Sequence, residues 1–153
     1  MRKYIGAMIM MSILVTGCSG RIPELEEFNP TSLKQEIQHV NFQMQLPHKL
    51  PFDVSSFEVY HSPLSLPMIE IVFIGEEENR LSLMIMDAEV ASINTDKYEG
   101  IKIGNKTGSY IESDDGKTLI WSSEGVSYEL QLLDGDHDYS KAHLIAVAES
   151  FFP

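Results

Sequence analysis

Four short strand-like segments follow one another in the C-terminal half of the chain, and turn-forming residues separate each from the next. The segments are Gly100–Ile103, Gly108–Ser113, Lys117–Ser122 and Val126–Leu133, and the turns are Asn105–Thr107, Asp115–Gly116 and Glu124–Gly125. Glycine, asparagine and aspartate favour tight turns because they tolerate backbone conformations that other residues avoid. Strands joined by such short turns pair with their neighbours, so the pattern predicts an antiparallel meander.

Further strands are predicted upstream of the meander. Phe42, Met44 and Leu46 alternate with glutamines, which predicts a half-buried strand that ends at Pro47. Three more segments have the composition of strands, and the last two are joined by a polar turn over Gly75–Asn79. These segments are Phe57–Tyr60, Met68–Ile74 and Arg80–Met86.

A helix is predicted at each end of the domain. Ser32 and Gln35 have the spacing of a capping box, and the apolar positions that follow predict a short helix over about Leu33–Val40. Ser140 is predicted to cap a closing helix with one apolar face. The residues of that face are Leu144, Val147, Ala148 and Phe151. We therefore expect an α+β fold, with an antiparallel sheet of about seven or eight strands and both helices packed on it.

The N-terminus has the composition of an export signal. Arg2 and Lys3 precede an apolar stretch over Ile5–Val15, and the small residues Thr16 and Gly17 follow it. A membrane-spanning helix needs about 20 apolar residues, and this stretch is shorter, so a transmembrane anchor is not expected. An ordinary secretory signal and a lipoprotein signal remain.

The run Leu14–Cys18 resembles the lipobox of bacterial lipoproteins, whose cysteine is linked to diacylglycerol and becomes the mature N-terminus. An ordinary signal would leave Cys18, the only cysteine, as an unpaired thiol in an oxidising compartment, whereas lipidation consumes it. The lipoprotein interpretation predicts three parts: residues 1–17 as signal peptide, 18–30 as lipidated cysteine and flexible tether, and 31–153 as one extracytoplasmic domain. The expected location is the outer face of the cell membrane, held there by the lipid on Cys18.

The chain is strongly acidic, with 23 Asp and Glu residues against 11 Lys and Arg, and a formal net charge of −12. Residues 1–17 contain two positive charges and no negative ones, so their removal would leave a mature chain at −14. Such a chain lacks the basic patches that neutralise phosphates, which excludes nucleic acid as a partner. With a single cysteine there is no internal disulfide, so the fold must be held together by its core.

The sequence contains no catalytic or metal-binding motif that we recognise. Asp134, Asp136 and Asp138 alternate like the start of a calcium loop, but Tyr139 and Ile145 stand where an EF-hand needs Gly and Glu. A Gly-x-Ser-x-Gly nucleophile elbow between a strand and a helix is also absent. We therefore expect no enzyme, no cofactor and no metal. The histidines lack the spacing of metal ligands and are expected to be surface or loop residues: His39, His48, His61, His137 and His143.

Several short segments with tryptophan, tyrosine and turn glycines carry a family resemblance. They are Ile101–Gly104, Gly108–Tyr110, Leu119–Trp121, Gly125–Leu130 and Leu144–Ser150, with Leu46–Pro47 and Leu50–Phe52 upstream. Over about Val40–Phe151 the chain resembles uncharacterised extracytoplasmic domains of Firmicute membrane-anchored proteins, including lipoproteins and the outer parts of anti-sigma factors. The resemblance implies a curved antiparallel sheet with a helix, distantly similar to lipoprotein-carrier and sigma-factor-regulator folds. It supplies no catalytic residues.

One hairpin is more apolar than a half-exposed sheet requires. The strand Leu81–Met86 is apolar on both faces and Ile69–Ile74 is nearly so, whereas a strand with one solvated face alternates. Both faces are therefore predicted to be covered. Methionine is an adaptable lining for apolar grooves and also an ordinary core residue. The candidate apolar groove comprises Met84, Met86, Val72 and Ile74.

These observations leave two functions from different classes. The first is a noncatalytic interaction or sensing module that binds a protein partner or another component of the cell envelope. The second is a carrier-like module that holds an acyl chain or another apolar ligand against the sheet.

Overall fold

The computed structural model describes residues 23–62, 67–77, 79–89, 97–133 and 139–152. Cys18, the predicted signal peptide and the acidic run 134–138 lie outside these residues. The described residues form nine strands and two helices. In chain order these are β1 (Glu26–Glu27), α1 (Thr31–Glu36), β2 (Lys49–Leu50), β3 (Ser56–His61), β4 (Met68–Ile74), β5 (Arg80–Met86), β6 (Glu99–Ile103), β7 (Lys106–Ser113), β8 (Gly116–Ser123), β9 (Val126–Leu133) and α2 (Lys141–Glu149).

Seven strands form one open antiparallel sheet in the order β3-β4-β5-β9-β8-β7-β6. Two meanders, β3–β5 and β6–β9, join where β5 pairs with β9, and β3 and β6 are the edge strands. The predicted α+β fold, with its antiparallel sheet and helix at each end, is confirmed. The predicted bounds of β4, β5 and β9 are also correct.

The core lies on one side of this sheet, called here the first face. Ile71, Leu83, Leu130 and Leu119 are cross-strand neighbours in one row, and all four are fully buried. Successive side chains of a strand point to opposite sides, so the residues between them belong to the second face. Helix α2 covers the first face with buried residues on one side of the helix, as the apolar spacing predicted. Those residues are Leu144, Val147 and Ala148.

An aromatic cluster lies at the centre of the core. Trp121 and Tyr128 are cross-strand neighbours whose rings stack with centroids 5.2 Å apart, and Phe151, just beyond α2, packs edge-on against both. The Tyr128 hydroxyl accepts a hydrogen bond from the Gln45 backbone N–H at 3.0 Å, and burial raises the pKa of this phenol. Both aromatic side chains were expected to find polar partners. Tyr128 does, whereas the buried Trp121 Nε1 has none among the described residues.

The β8–β9 turn has the backbone that its sequence predicted. Glu124 and Gly125 both have positive φ, at 56° and 84°. This is the signature of a type I′ turn, whose twist matches that of the strands it joins. The turn places Ser123 opposite Val126 and so fixes the register of the central hairpin.

The first helix is earlier and shorter than predicted. It spans Thr31–Glu36 instead of about Leu33–Val40, so Ser32 lies inside it and does not cap it. The first turn is held instead by Asn29, whose Oδ1 accepts a hydrogen bond from the Thr31 N–H at 3.0 Å. The apolar spacing identified the buried residues correctly, since Leu33 and Ile37 both join the core.

Phe42–Leu46 is not a strand. Its Gln45 N–H donates to a side chain, the Tyr128 hydroxyl, and strand pairing after α1 begins only at β2. Leu46 is buried, while Phe42 and Met44 are partly buried against the core. The alternation of apolar residues with glutamines therefore reflects contact with the core and not strand pairing in the sheet.

The domain begins before residue 31, where the predicted tether was expected to end. Strand β1 pairs with β2, and the ring of Phe28 packs edge-on against Phe73 at 5.3 Å. The Phe28 N–H also donates to the His48 carbonyl at 2.8 Å. The acidic composition of this stretch predicted a tether, but Leu25 and Phe28 pack on the core and make the stretch part of the domain.

Candidate functional site

All four residues of the predicted apolar groove lie on the second face. Val72 and Ile74 belong to β4, and Met84 and Met86 to the adjacent β5. Val72 is 8% exposed, and the other three side chains are half-buried. The strand register places Val72 diagonally across from Met84, whereas Ile74 and Met86 lie at opposite ends of the hairpin.

Polar side chains interrupt this apolar surface, so it is not the continuous apolar lining that was predicted. Ser82 lies opposite Val72, and Arg80 lies opposite Ile74. Met84 has a glutamate on each side, Glu70 of β4 and Glu129 of β9. The apolar covering predicted for both faces holds fully only for the first face, where Leu81, Leu83 and Ile85 have no exposed surface.

The two glutamates give the centre of the second face its charge. Adjacent strands are about 4.8 Å apart, so the backbones at Glu70 and Glu129, two strands apart, are separated by about 10 Å. Burial raises the pKa of the Glu129 carboxyl, and the nearby charge of Glu70 raises it further. Glu70 is stabilised by the Ser82 hydroxyl, which donates to its Oε1 at 2.7 Å.

The β3 edge extends the same row of residues. Tyr60 is the cross-strand neighbour of Glu70 and is 51% exposed, although it is a large aromatic side chain. Its hydroxyl donates to the Glu58 carboxylate, and this hydrogen bond is the main cause of the raised pKa of Tyr60. An aromatic ring beside two carboxylates at a sheet edge is well suited to contact a cationic side chain.

A pair of serines lies toward one end of the second face. Ser122 and Ser127 are cross-strand neighbours with their hydroxyl oxygens 2.9 Å apart. Ser127 also donates to the Ala88 carbonyl, which ties the residues after β5 to β9. This arrangement satisfies Ser127, which is buried, and fixes the end of the strand at Met86.

The arrangement places apolar contact surface beside negative charge. The half-buried Met84 side chain offers apolar contact, and Glu70 and Glu129 flank it in the same row. A ligand that buries apolar groups here also meets two carboxylates, which favours a cationic group and opposes an anionic one. Among the residues that the structure describes, no group of three or more His, Cys, Asp or Glu side chains is placed to hold a metal ion.

Sequence reasoning identified the methionines of this face and missed the glutamates. Glu70 interrupts the apolar run of β4 at the position that faces the same side as Val72, a signal that strand alternation alone supplies. Glu129 could not be found in this way, because its place beside Met84 depends on the pairing of β5 with β9.

No helix of the described part of the chain is long and apolar enough to cross a membrane.

The chain belongs to a family described as a domain of unknown function (DUF4367), which matches residues 68–151. The matched region runs from β4 through α2 and includes the aromatic cluster, Met84 and both glutamates. The predicted resemblance to an uncharacterised domain is thereby confirmed. No curated protein and no solved structure matches the chain.

Proposed function

We propose that this protein is a noncatalytic interaction module of the cell envelope that binds a partner polypeptide on the second face of its sheet. A lipid on Cys18 would tether it to the outer face of the membrane, as the lipobox-like run Leu14–Cys18 suggests. The observation that carries the proposal is the row Glu70–Met84–Glu129, in which carboxylates flank a half-buried apolar side chain.

The chemistry of this row selects the kind of partner. Both helices place their buried side chains in the core of the first face, and the second face keeps half-buried apolar groups. A polypeptide segment that alternates apolar and basic residues would match the methionines with its apolar side chains and the glutamates with its cations. The negative charge of the chain as a whole would also steer such a segment toward the domain.

The carrier-like function is the second candidate, favoured by Met84, Met86, Val72 and Ile74 lying on one face. A free fatty acid fits this face poorly, because its carboxylate would meet Glu70 and Glu129. An acyl chain without a negative charge would not be repelled by these carboxylates. The two candidates therefore differ in how their binding depends on the two glutamates.

A titration with synthetic peptides separates the candidates. One strand-length peptide alternates leucine with lysine, and its counterpart alternates leucine with glutamate. We expect the full chain in mild detergent to bind the lysine peptide, and the double variant Glu70→Gln/Glu129→Gln to bind it at least about tenfold more weakly, a loss of about 1.4 kcal/mol. The glutamate peptide should not bind.

A matched variant controls for net charge. Glu26→Gln/Glu36→Gln removes the same two charges from β1 and α1, where both residues are exposed. If it weakens lysine-peptide binding as much as the second-face variant does, the interaction is a general charge effect and the proposal is wrong. Tight binding of a neutral acyl probe, unchanged by Glu70→Gln/Glu129→Gln, would favour the carrier instead.

A further inference from the structure

Two histidines that are far apart in sequence meet at one edge of the domain. The Nε2 atoms of His39 and His61 are 3.2 Å apart, with the ring centroids at 4.7 Å and the ring planes tilted by 55°. Sequence reasoning treated the two as unrelated surface residues because 22 positions separate them. Their contact depends on how the segment after α1 packs beside the end of β3.

The backbone on both sides of this pair is held by neighbouring structure. Ile37 is buried in the core two residues before His39, and the Val40 N–H donates to the Ile37 carbonyl at 3.0 Å. His61 is the last residue of β3 and pairs with Ile69 of β4. The two imidazoles are therefore brought together by hydrogen-bonded backbone, and both residues are exposed to solvent.

The pair lines a cavity of about 280 Å³ whose wall also includes Asn41, Ser62 and Met68. From this geometry we propose that His39 and His61 form a binding site for a divalent transition-metal ion such as Zn²⁺, with water in the remaining positions. Zinc binds histidine nitrogen at about 2.0–2.1 Å, so two ligands at the tetrahedral angle stand about 3.3 Å apart. The observed 3.2 Å between the Nε2 atoms agrees with that spacing.

Metal binding changes which ring nitrogens of the pair carry protons. Without metal, one Nε2 must carry the proton that the other accepts, whereas metal binding uses the lone pairs of both. On metal binding the ring that carried its proton on Nε2 shifts to the Nδ1–H tautomer, so each neutral ring holds one proton on Nδ1 and both Nε2 lone pairs face the cation. This site is separate from Glu70, Met84 and Glu129, so the test of zinc binding is independent of the test of the proposed function.

Calorimetric titration of the full, tag-free chain with ZnCl₂ tests the site. Cys18→Ser is present in every sample, because a free thiol also binds zinc. We expect one Zn²⁺ per chain at pH 7.5, with an affinity at least about tenfold lower in His39→Ala and in His61→Ala. His48→Ala removes an exposed histidine elsewhere and should leave the affinity unchanged.

Imidazole ¹⁵N resonances supply a second readout that does not depend on a variant folding. Zinc should shift the Nε2 resonances of His39 and His61 and leave that of His48 in place. Unchanged Nε2 resonances for the pair, or an affinity lowered equally by His48→Ala, would overturn the site.

Discussion

The ring of Phe151 stands edge-on to the indole of Trp121, with centroids 5.2 Å apart and planes at 88°. Phe151 follows α2 and Trp121 lies in β8, so this contact joins the helix end to the middle of the sheet. Phe151 is 2% exposed and also touches Tyr128. One side chain beyond the last turn of the helix thus holds α2 on the first face.

Replacing Phe151 with alanine should destabilise the fold strongly. Truncating a buried phenylalanine costs about 3–5 kcal/mol, because apolar contact is lost and a cavity remains. Tyr60→Ala is the matched control, since it truncates an aromatic ring that is half exposed, and it should cost less than about 1 kcal/mol. Urea unfolding of both variants measures the difference. Equal midpoints would show that Phe151 does not hold the helix in place.

The strands of the sheet were largely predictable from the sequence because their signals are local. Strand-like composition and turn residues located β4, β5 and β9 to the residue, and Glu124–Gly125 predicted the turn before β9. Signals at the N-terminal end of the domain were less direct. The Asn29 side chain, and not Ser32, accepts from the first N–H of α1, and Gln45 bonds to Tyr128 across 83 residues, a contact that no local pattern shows.

The candidate sites were less predictable than the fold because they depend on distant pairing. Met84 and Met86 were recognised from their own strand, but the glutamates beside Met84 come from β4 and β9. The His39–His61 contact likewise joins a segment after α1 to the end of β3. Neighbours of this kind follow from sheet order and packing, which the spacing of residues along the chain does not specify.

Glu129→Gln should stabilise the protein at neutral pH. Burial and Glu70 raise the pKa of the folded Glu129 above its ordinary value of 4.5, so the folded state binds this proton more readily than the unfolded state. The stability of the wild type therefore falls as pH rises from about 4.5 through the folded pKa. Glutamine carries no charge, so the variant does not lose stability over this pH range. Urea midpoints measured from pH 4 to pH 8 should show an advantage for Glu129→Gln that disappears at the acidic end.

Glu26→Gln serves as the control for the pH series, because Glu26 is an exposed residue of β1. Its midpoints should follow those of the wild type throughout. An advantage of Glu129→Gln that is constant with pH would mean that a change in packing, and not the charge of the carboxylate, causes it.

Cys18→Ala should prevent lipid attachment and leave an unprocessed precursor. In the proposed lipid tether Cys18 accepts the diacylglyceryl group, and alanine has no thiol to accept it. Ser19→Ala keeps the thiol and should be lipidated and processed normally. Mass spectrometry of protein from membranes distinguishes the two products. A wild-type protein that carries no lipid on Cys18 would refute the proposed tether.

A photo-crosslinking residue in place of Met86 tests the second face most directly. Met86 is half-buried on β5, and the exposed Lys34 of α1 provides the control position. After irradiation in native membranes, we predict that position 86 is joined to a peptide with lysine or arginine among apolar residues, and that Glu70→Gln/Glu129→Gln reduces its yield. An adduct that is only lipid, or equal adducts at positions 86 and 34, would contradict the account.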